Sequence, residues 1–156
     1  MPSWLVRAGA RGPEASMSHP MNPLSEIHGW TLSRAAGLVR SGVNWVRVPP
    51  GKESFVYHEH KVEEEWMYVL SGRGTAVVNE EEVEIGPGDF LGFAAPGFAH
   101  HVRNPFAEDL VYLSGGERSA TEVADFPHHG KRMVRVGDAV AIHALDAAGF
   151  PGMKKL

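Results

Sequence analysis

Four side chains carry the types and spacing that support chemistry: His58, His60, Glu65 and His100. His58 and His60 stand two apart in SFVYHEH, which reads as a strand, and a strand sends residues i and i+2 to the same face. Both imidazoles then point the same way. Glu65 opens the next strand, where alternation puts Glu65, Met67 and Val69 on one face and Trp66, Tyr68 and Leu70 on the other. A carboxylate heading an inward apolar row is costly to bury unless it is paired or binds a cation. His100 begins HHVRN and shares a face with Val102 and Asn104, opposite His101 and Arg103. Three imidazoles and one carboxylate converging from three strands predict a metal site, suited to Zn, Fe, Mn, Ni, Co or Cu, with positions left open for water or substrate.

The elements that must position these groups are short. Between Val43 and Gly115, apolar stretches of a few residues recur about every ten residues. They are bounded by PPG, SGRG, GPGD and AAPG. That rhythm predicts an all-β, antiparallel barrel or sandwich. The 18 glycines and 11 prolines agree with a turn-rich chain. EHKVEEEWMYVL can be written as a helix, but the flanking SGRGT and the β-rich WMYVL favour a strand ending in a turn. Residues 1–42 read as an N-terminal arm packed on the barrel, with NPLSEIHGW a loop or helical turn and AGLVR a strand. Residues 43–116 form the barrel core, and residues 117–156 a C-terminal extension that adds an edge strand and a short helix. No internal repeat or low-complexity tract is present.

Composition narrows the function classes. The chain has 156 residues, which suits one domain, and a formal net charge of −4, so no basic excess exists to neutralise nucleic-acid phosphates. Its 9 histidines accompany 0 cysteines, which excludes disulfides, thiolate metal sites and a Cys nucleophile. Any metal must be held by nitrogen and oxygen. The N-terminal MPSWLVRAGARGPEAS lacks the apolar run of a secretory signal, and no apolar stretch is long enough to span a membrane, so the expected location is the cytoplasm. Met17 and Met21 are alternative starts to Met1.

At this point the residues carry a resemblance. Pro50 to Gly74 resembles the first motif of the cupin superfamily: a Gly, His-x-His, three or four residues, a Glu, six residues and a Gly. Here these are Gly51, His58, His60, Glu65 and Gly72. Gly86 to Asn104 resembles the second motif, with Gly88, Gly97, His100 and Asn104 in its slots. One extra residue separates Gly51 from His58, another follows Gly88, and Ala95 stands where a proline is usual, with Pro96 beside it. The resemblance implies a small single-domain jelly-roll β-barrel, a homodimer, and a divalent metal (Zn, Fe, Mn or Ni), one per chain, held by His58, His60, Glu65 and His100. The step to Gly72 selects Glu65 over Glu63 and Glu64, which read as a solvated turn.

A barrel of this size holds one small ligand. Val56, Met67, Val69, Val102 and Asn104 share the parity of the ligand set and are the expected lining. Trp45, Tyr57, Phe90, Phe93, Phe98 and Tyr112 have no parity that the sequence settles. Arg47 and Arg103 are candidate carboxylate binders. His101 reads as hydrogen-bonded or surface, and His128 and His129 as part of a tail. The expected function is a metal-dependent dioxygenase, isomerase or lyase acting on a small oxygen-bearing molecule, with no general base evident beyond the ligand set. The alternative is a metal or small-molecule binding protein without turnover. A regulator is disfavoured, because no helix-turn-helix precedes the barrel.

Overall fold

Each short apolar run between Gly, Pro and Asn turns becomes a strand. In the computed structural model, which describes residues 4–146, the order is β1 (Ala15–Met17), β2 (Ile27–Thr31), α1 (Leu32–Ala35), β3 (Ser41–Val48), β4 (Glu59–His60), β5 (Glu65–Ser71) and β6 (Gly74–Val78). There follow β7 (Glu81–Ile85), β8 (Phe90–Phe93), β9 (His100–Arg103), β10 (Leu110–Glu117), β11 (Thr121–Phe126), β12 (Lys131–Val136) and β13 (Ala139–Ala144). The ladders between these strands are antiparallel. They build a six-stranded sheet in the order β1-β2-β3-β10-β5-β8, a four-stranded sheet β13-β12-β11-β4 and a three-stranded sheet β7-β6-β9. This is the all-β, antiparallel architecture that the strand rhythm predicts, in the jelly-roll barrel form that the resemblance implies.

Alternation decides which side chains fill it. Val46 and Val48 of β3, Met67 and Val69 of β5, Phe93 of β8, and Leu110 and Tyr112 of β10 all face the same interior as Ala76, Ile85 and Val102 from the three-stranded sheet. Burial of these rows is the main stabilising term, worth about 1.5–3 kcal/mol for each large side chain. The β6–β7 hairpin closes through Asn79 and Glu80, both at positive φ (47° and 68°), the conformation that a tight hairpin turn requires. Gly72 stands at φ 73°, and a Cβ there would overlap the carbonyl oxygen of Asp109. Only glycine lets the β5–β6 turn approach the start of β10 so closely.

Several local expectations are corrected. Ala36–Arg40, read as a strand, instead closes α1. Gly37 takes φ 79° while the Leu38 N–H donates to the Ser33 carbonyl, a left-handed helix stop that uses up the residues. Ile27–Trp30, read as loop or helical turn, is strand β2, because Ile27 buries in the core and the segment ladders onto β3. The extension, expected to add an edge strand and a short helix, holds the edge strand β13, paired along its length with β12, and a single 3-10 turn at Pro127–His129 among the described residues; residues 147–156 lie outside those described. SFVYHEH is laddered only at Glu59 and His60, with His58 bridging to His100 on its own. Thr121–Phe126, assigned to the extension, is an inner strand that pairs Ala124 with His60. Among the described residues no helix is long and apolar enough to cross a membrane.

Candidate metal centre

The three sheets meet at one cluster. Glu65 begins β5 of the six-stranded sheet, His100 begins β9 of the three-stranded sheet, and His60 ends β4 of the four-stranded one, with His58 two residues before it. The imidazole orientations are set locally. His58 Nδ1 lies 2.7 Å from the Val56 carbonyl oxygen and His100 Nδ1 lies 2.9 Å from that of Phe98. A carbonyl only accepts, so each Nδ1 carries the proton and each Nε2 presents a lone pair. Phe93 stacks face to face on His100, with centroids 3.6 Å apart, and fixes the ring plane.

The Nε2 atoms converge on one carboxylate oxygen. Glu65 Oε2 stands 3.1 Å from His60 Nε2, 3.2 Å from His100 Nε2 and 3.8 Å from His58 Nε2. His58 Nε2 and His60 Nε2 are 3.1 Å apart. Donor atoms bound about 2.1 Å from a common ion stand roughly 3.0–3.4 Å from one another at octahedral to tetrahedral angles. His60 and His100 fall in that range from Glu65 and His58 lies just beyond it, and the donor atoms of His58, Glu65 and His100 all stand within 4.8 Å of one another, where their lone pairs repel unless a cation lies among them. The donor set therefore suits a divalent metal. Burial pushes the Glu65 carboxyl up, but its contacts with His100, His58 and His60 outweigh this and hold it well below the usual carboxylate range. Burial lowers His58. For His60 burial is outweighed by Glu65, Glu122 and Glu63, and the net direction is up.

Glu63 is not the solvated turn residue expected of it. Its carboxylate accepts from the Ser119 N–H and from Arg135 Nη2 at 2.6 Å, because β11 and β12 fold over the β4–β5 connection. Glu64 is exposed, as expected. Glu122 carried no expectation, and it is 1% exposed. Its carboxylate accepts the backbone N–H groups of Lys61, Val62, Glu63 and Val123 at 2.7–3.3 Å, and lies 3.7 Å from His60 Nδ1. The one available signal was an acid sharing the parity of Ala124 and Phe126 in TEVADF. The donor atoms thus fall into two ligand-like groups, His58, Glu65 and His100 in one and His60, Glu63 and Glu122 in the other; in the second, backbone N–H groups engage both Glu122 oxygens, and Ser119 and Arg135 engage Glu63 Oε1.

Beside the cluster lies a cavity of about 330 Å³, walled by Trp30, Trp45, Phe55, Met67 and Tyr112 and bordered also by Arg34 and Arg118. Of the expected lining, Met67 borders it. Val69 and Val102 are instead packed in the core behind it, and Val56 is buried without bordering it. Asn104 is 1% exposed and braces a turn, donating to the Val48 and Glu108 carbonyls at 2.8 Å while accepting from the Phe106 N–H. Tyr112 borders the cavity, and burial raises its phenol, which therefore stays protonated. Arg47 is tied to Glu14 and Asp109, and Arg103 to Glu82, so neither serves the cavity. Phe90 and Phe98 are exposed, and Tyr57 packs with Val77 and Ala99. His128 stacks on Tyr57 at 4.4 Å and meets Glu80 at 2.9 Å, which ties it down more firmly than a tail residue. His101 has both ring nitrogens buried without a hydrogen bond, 3.7 Å from Glu53 at the nearest.

Comparison with known proteins agrees with this architecture. The chain is similar to a crystal structure described as a candidate sugar phosphate isomerase from Acidithiobacillus ferrooxidans, with 34% identity, TM-score 0.89, and 94% of this chain and 96% of that one covered. A sugar phosphate isomerase of a cupin superfamily from Silicibacter pomeroyi shows 27% identity and TM-score 0.75, with 81% of each chain covered. A curated relative, sulfate adenylyltransferase subunit 1 of Shewanella oneidensis, is 28% identical over 110 residues, or 70% of this chain; the match spans only 22% of that protein's length. The cupin domain family matches residues 44–115, the stretch that carries His58, His60, Glu65 and His100. With strand order, cavity and sequence in agreement, the chain belongs to the cupin superfamily.

Proposed function

We propose that this protein binds one divalent transition metal through His58, His60, Glu65 and His100 and isomerises a small, oxygen-bearing, sugar-like substrate. The observation that carries the reading is the meeting of three Nε2 atoms and one carboxylate oxygen beside a cavity walled by aromatic side chains. The likeness to two structures described as sugar phosphate isomerases favours isomerase over dioxygenase or lyase chemistry. A bound divalent ion would supply a Lewis acid that polarises a substrate hydroxyl or carbonyl oxygen. The chain's own residues do the rest. Trp30, Trp45 and Met67 exclude water from the cavity. The Tyr112 phenol, 3% exposed and without a hydrogen bond to any described residue, donates to a substrate oxygen. The His58 and His100 rings are held by backbone carbonyls and need no rearrangement when substrate enters.

Elemental analysis of protein purified without added metal tests the site: about one ion per chain is expected, and none at all overturns it. Incubating the metal-loaded protein with a panel of aldoses, ketoses and their phosphates in heavy water tests the activity, because isomerisation by proton transfer washes solvent deuterium into the sugar. A loaded protein silent in that assay would overturn the isomerase reading and leave a binding protein. Oxygen uptake would move it to the dioxygenases. The reading extends to a homodimer. Val136, Val140 and Ile142 of the β12–β13 hairpin are 50–59% exposed, and β13 is an unpaired edge. A monomer mass in solution would refute it.

A further inference from the structure

We infer that Arg34 and Arg118 form an anion-binding mouth to the cavity and that the group they take is a phosphate monoester on the substrate. This rests on the proposed function above and names the charged end of its substrate.

The two arginines come from distant parts of the chain, α1 and the residue after β10. Both border the cavity, and both also border a second concavity of about 310 Å³ beside α1, together with Thr31 and Asn44. A ligand spanning these two concavities would meet both guanidiniums. Neither guanidinium has a carboxylate partner among the described residues. Arg47 pairs with Glu14, Arg73 with Glu84, Arg103 with Glu82, Arg132 with Asp125 and Arg135 with Glu63; Arg7, Arg11 and Arg40 share with Arg34 and Arg118 the absence of a carboxylate partner among the described residues, but none of those three borders either concavity. Among the described residues lining the two concavities, Glu65 is the sole acid. Arg118 also borders the neighbouring groove that holds Glu63, Glu64 and Glu117. There Glu63 is engaged by Arg135, and the Glu117 carboxylate accepts the Glu64 N–H.

Both positions are braced. The Arg118 N–H donates to the Arg40 carbonyl at 3.1 Å, and the side-chain stem lies over Gly42, with Cγ and Cδ 3.9 Å from where a Cβ would stand. Arg34 sits on a helical turn anchored by the buried Ser33, whose Oγ accepts the Val43 N–H at 2.9 Å. Two guanidiniums without a carboxylate partner among the described residues line the same concavities, and an anion held there would neutralise both. A phosphate dianion neutralises both and offers each fork two oxygens, whereas one carboxylate satisfies only a single fork.

The test is calorimetric titration of inorganic phosphate, with acetate in parallel, into wild type, Arg34→Gln, Arg118→Gln and the double variant. Each protein is used both metal-loaded and chelator-stripped. Both side chains are exposed, so the variants should fold and keep the metal content of wild type. Phosphate should bind wild type in both forms, each single substitution should weaken it at least tenfold, and acetate should bind far more weakly. Phosphate binding that vanishes with the metal and ignores both substitutions overturns the inference while leaving the metal centre standing. Acetate binding as tight as phosphate overturns the phosphate assignment. A protein that holds no metal yet loses phosphate on losing the arginines refutes the metal reading and supports this one.

Discussion

Glu122→Gln should weaken the support behind His60 while leaving all four converging groups in the sequence. Glu122 Oε1 accepts the Lys61, Val62 and Val123 N–H groups at 3.2, 3.3 and 2.9 Å, and Oε2 accepts Glu63 N–H at 2.7 Å. An amide keeps one acceptor oxygen. Its best placement leaves the carbonyl on the Oε1 side and turns the NH₂ group against the Glu63 N–H, a buried donor facing a donor. That mismatch costs about 1–3 kcal/mol, and the bonds that survive lose their charge assistance, roughly half their strength. The two bonds beyond 3 Å were weak already, so the sum is about 3 kcal/mol. In a chain of this size that is a fall of about 6–12 °C in Tm. Urea unfolding of metal-free protein, followed by tryptophan fluorescence, should show a lower midpoint with an unchanged slope. Because the Lys61–Glu63 backbone links His60 to Glu65, metal affinity should also fall about 10–100-fold, the usual cost of losing a supporting contact behind a ligand. A midpoint change worth less than about 0.5 kcal/mol, the scale of an ordinary surface substitution, would refute the reasoning.

Other outcomes follow from single features. Glu65→Gln should strip most of the metal while Glu64→Gln leaves it bound; equal occupancy in the two would remove Glu65 from the site. Gly72→Ala and Gly51→Ala meet the same φ of 73°, a strain of about 1–2 kcal/mol, but only residue 72 faces a backbone carbonyl. The loss of stability should therefore be clearly larger at 72 in parallel urea titrations. Asp125 accepts from Arg132 at 2.6 and 2.9 Å and from Lys61 at 3.3 Å. Burial raises its carboxyl, but these cations outweigh burial and hold it below the usual range. Its pairing thus stabilises the fold above about pH 3.9 and is lost as pH falls through the lower folded value. The stability gap between wild type and Asp125→Asn should shrink between pH 5 and pH 3, and a gap constant over that range would count against the pair.

The residues that converge were legible because their spacing is local. His58 and His60 share a face by strand parity, Glu65 heads the next alternating row, and His100 heads another. Glycines at the turns, such as Gly72, announced the strand boundaries for the same reason. What surrounds the cluster was not legible. Ala36–Arg40 carries a strand-like composition, yet a left-handed Gly37 and the Ser33 carbonyl turn it into a helix stop. Glu63 lies in an acidic run that looks solvated, and only the return of β11 and β12 buries it against Arg135.

The sequence by itself determined the strand rhythm, the inward parity of four nitrogen and oxygen donors, and the exclusion of thiolate chemistry. These are properties of neighbours along the chain, governed by the two-residue period of a strand and by residue chemistry. Only the tertiary structure decided that Glu122 stands behind His60, that Tyr112 faces the cavity while Val69 and Val102 do not, and that Arg34 and Arg118 border the same cavity. Each of those depends on pairing between segments far apart in sequence, such as β11 with β4 and β10 with β3. Their register is set by the burial of whole strand faces, a sum over many contacts that no short motif records.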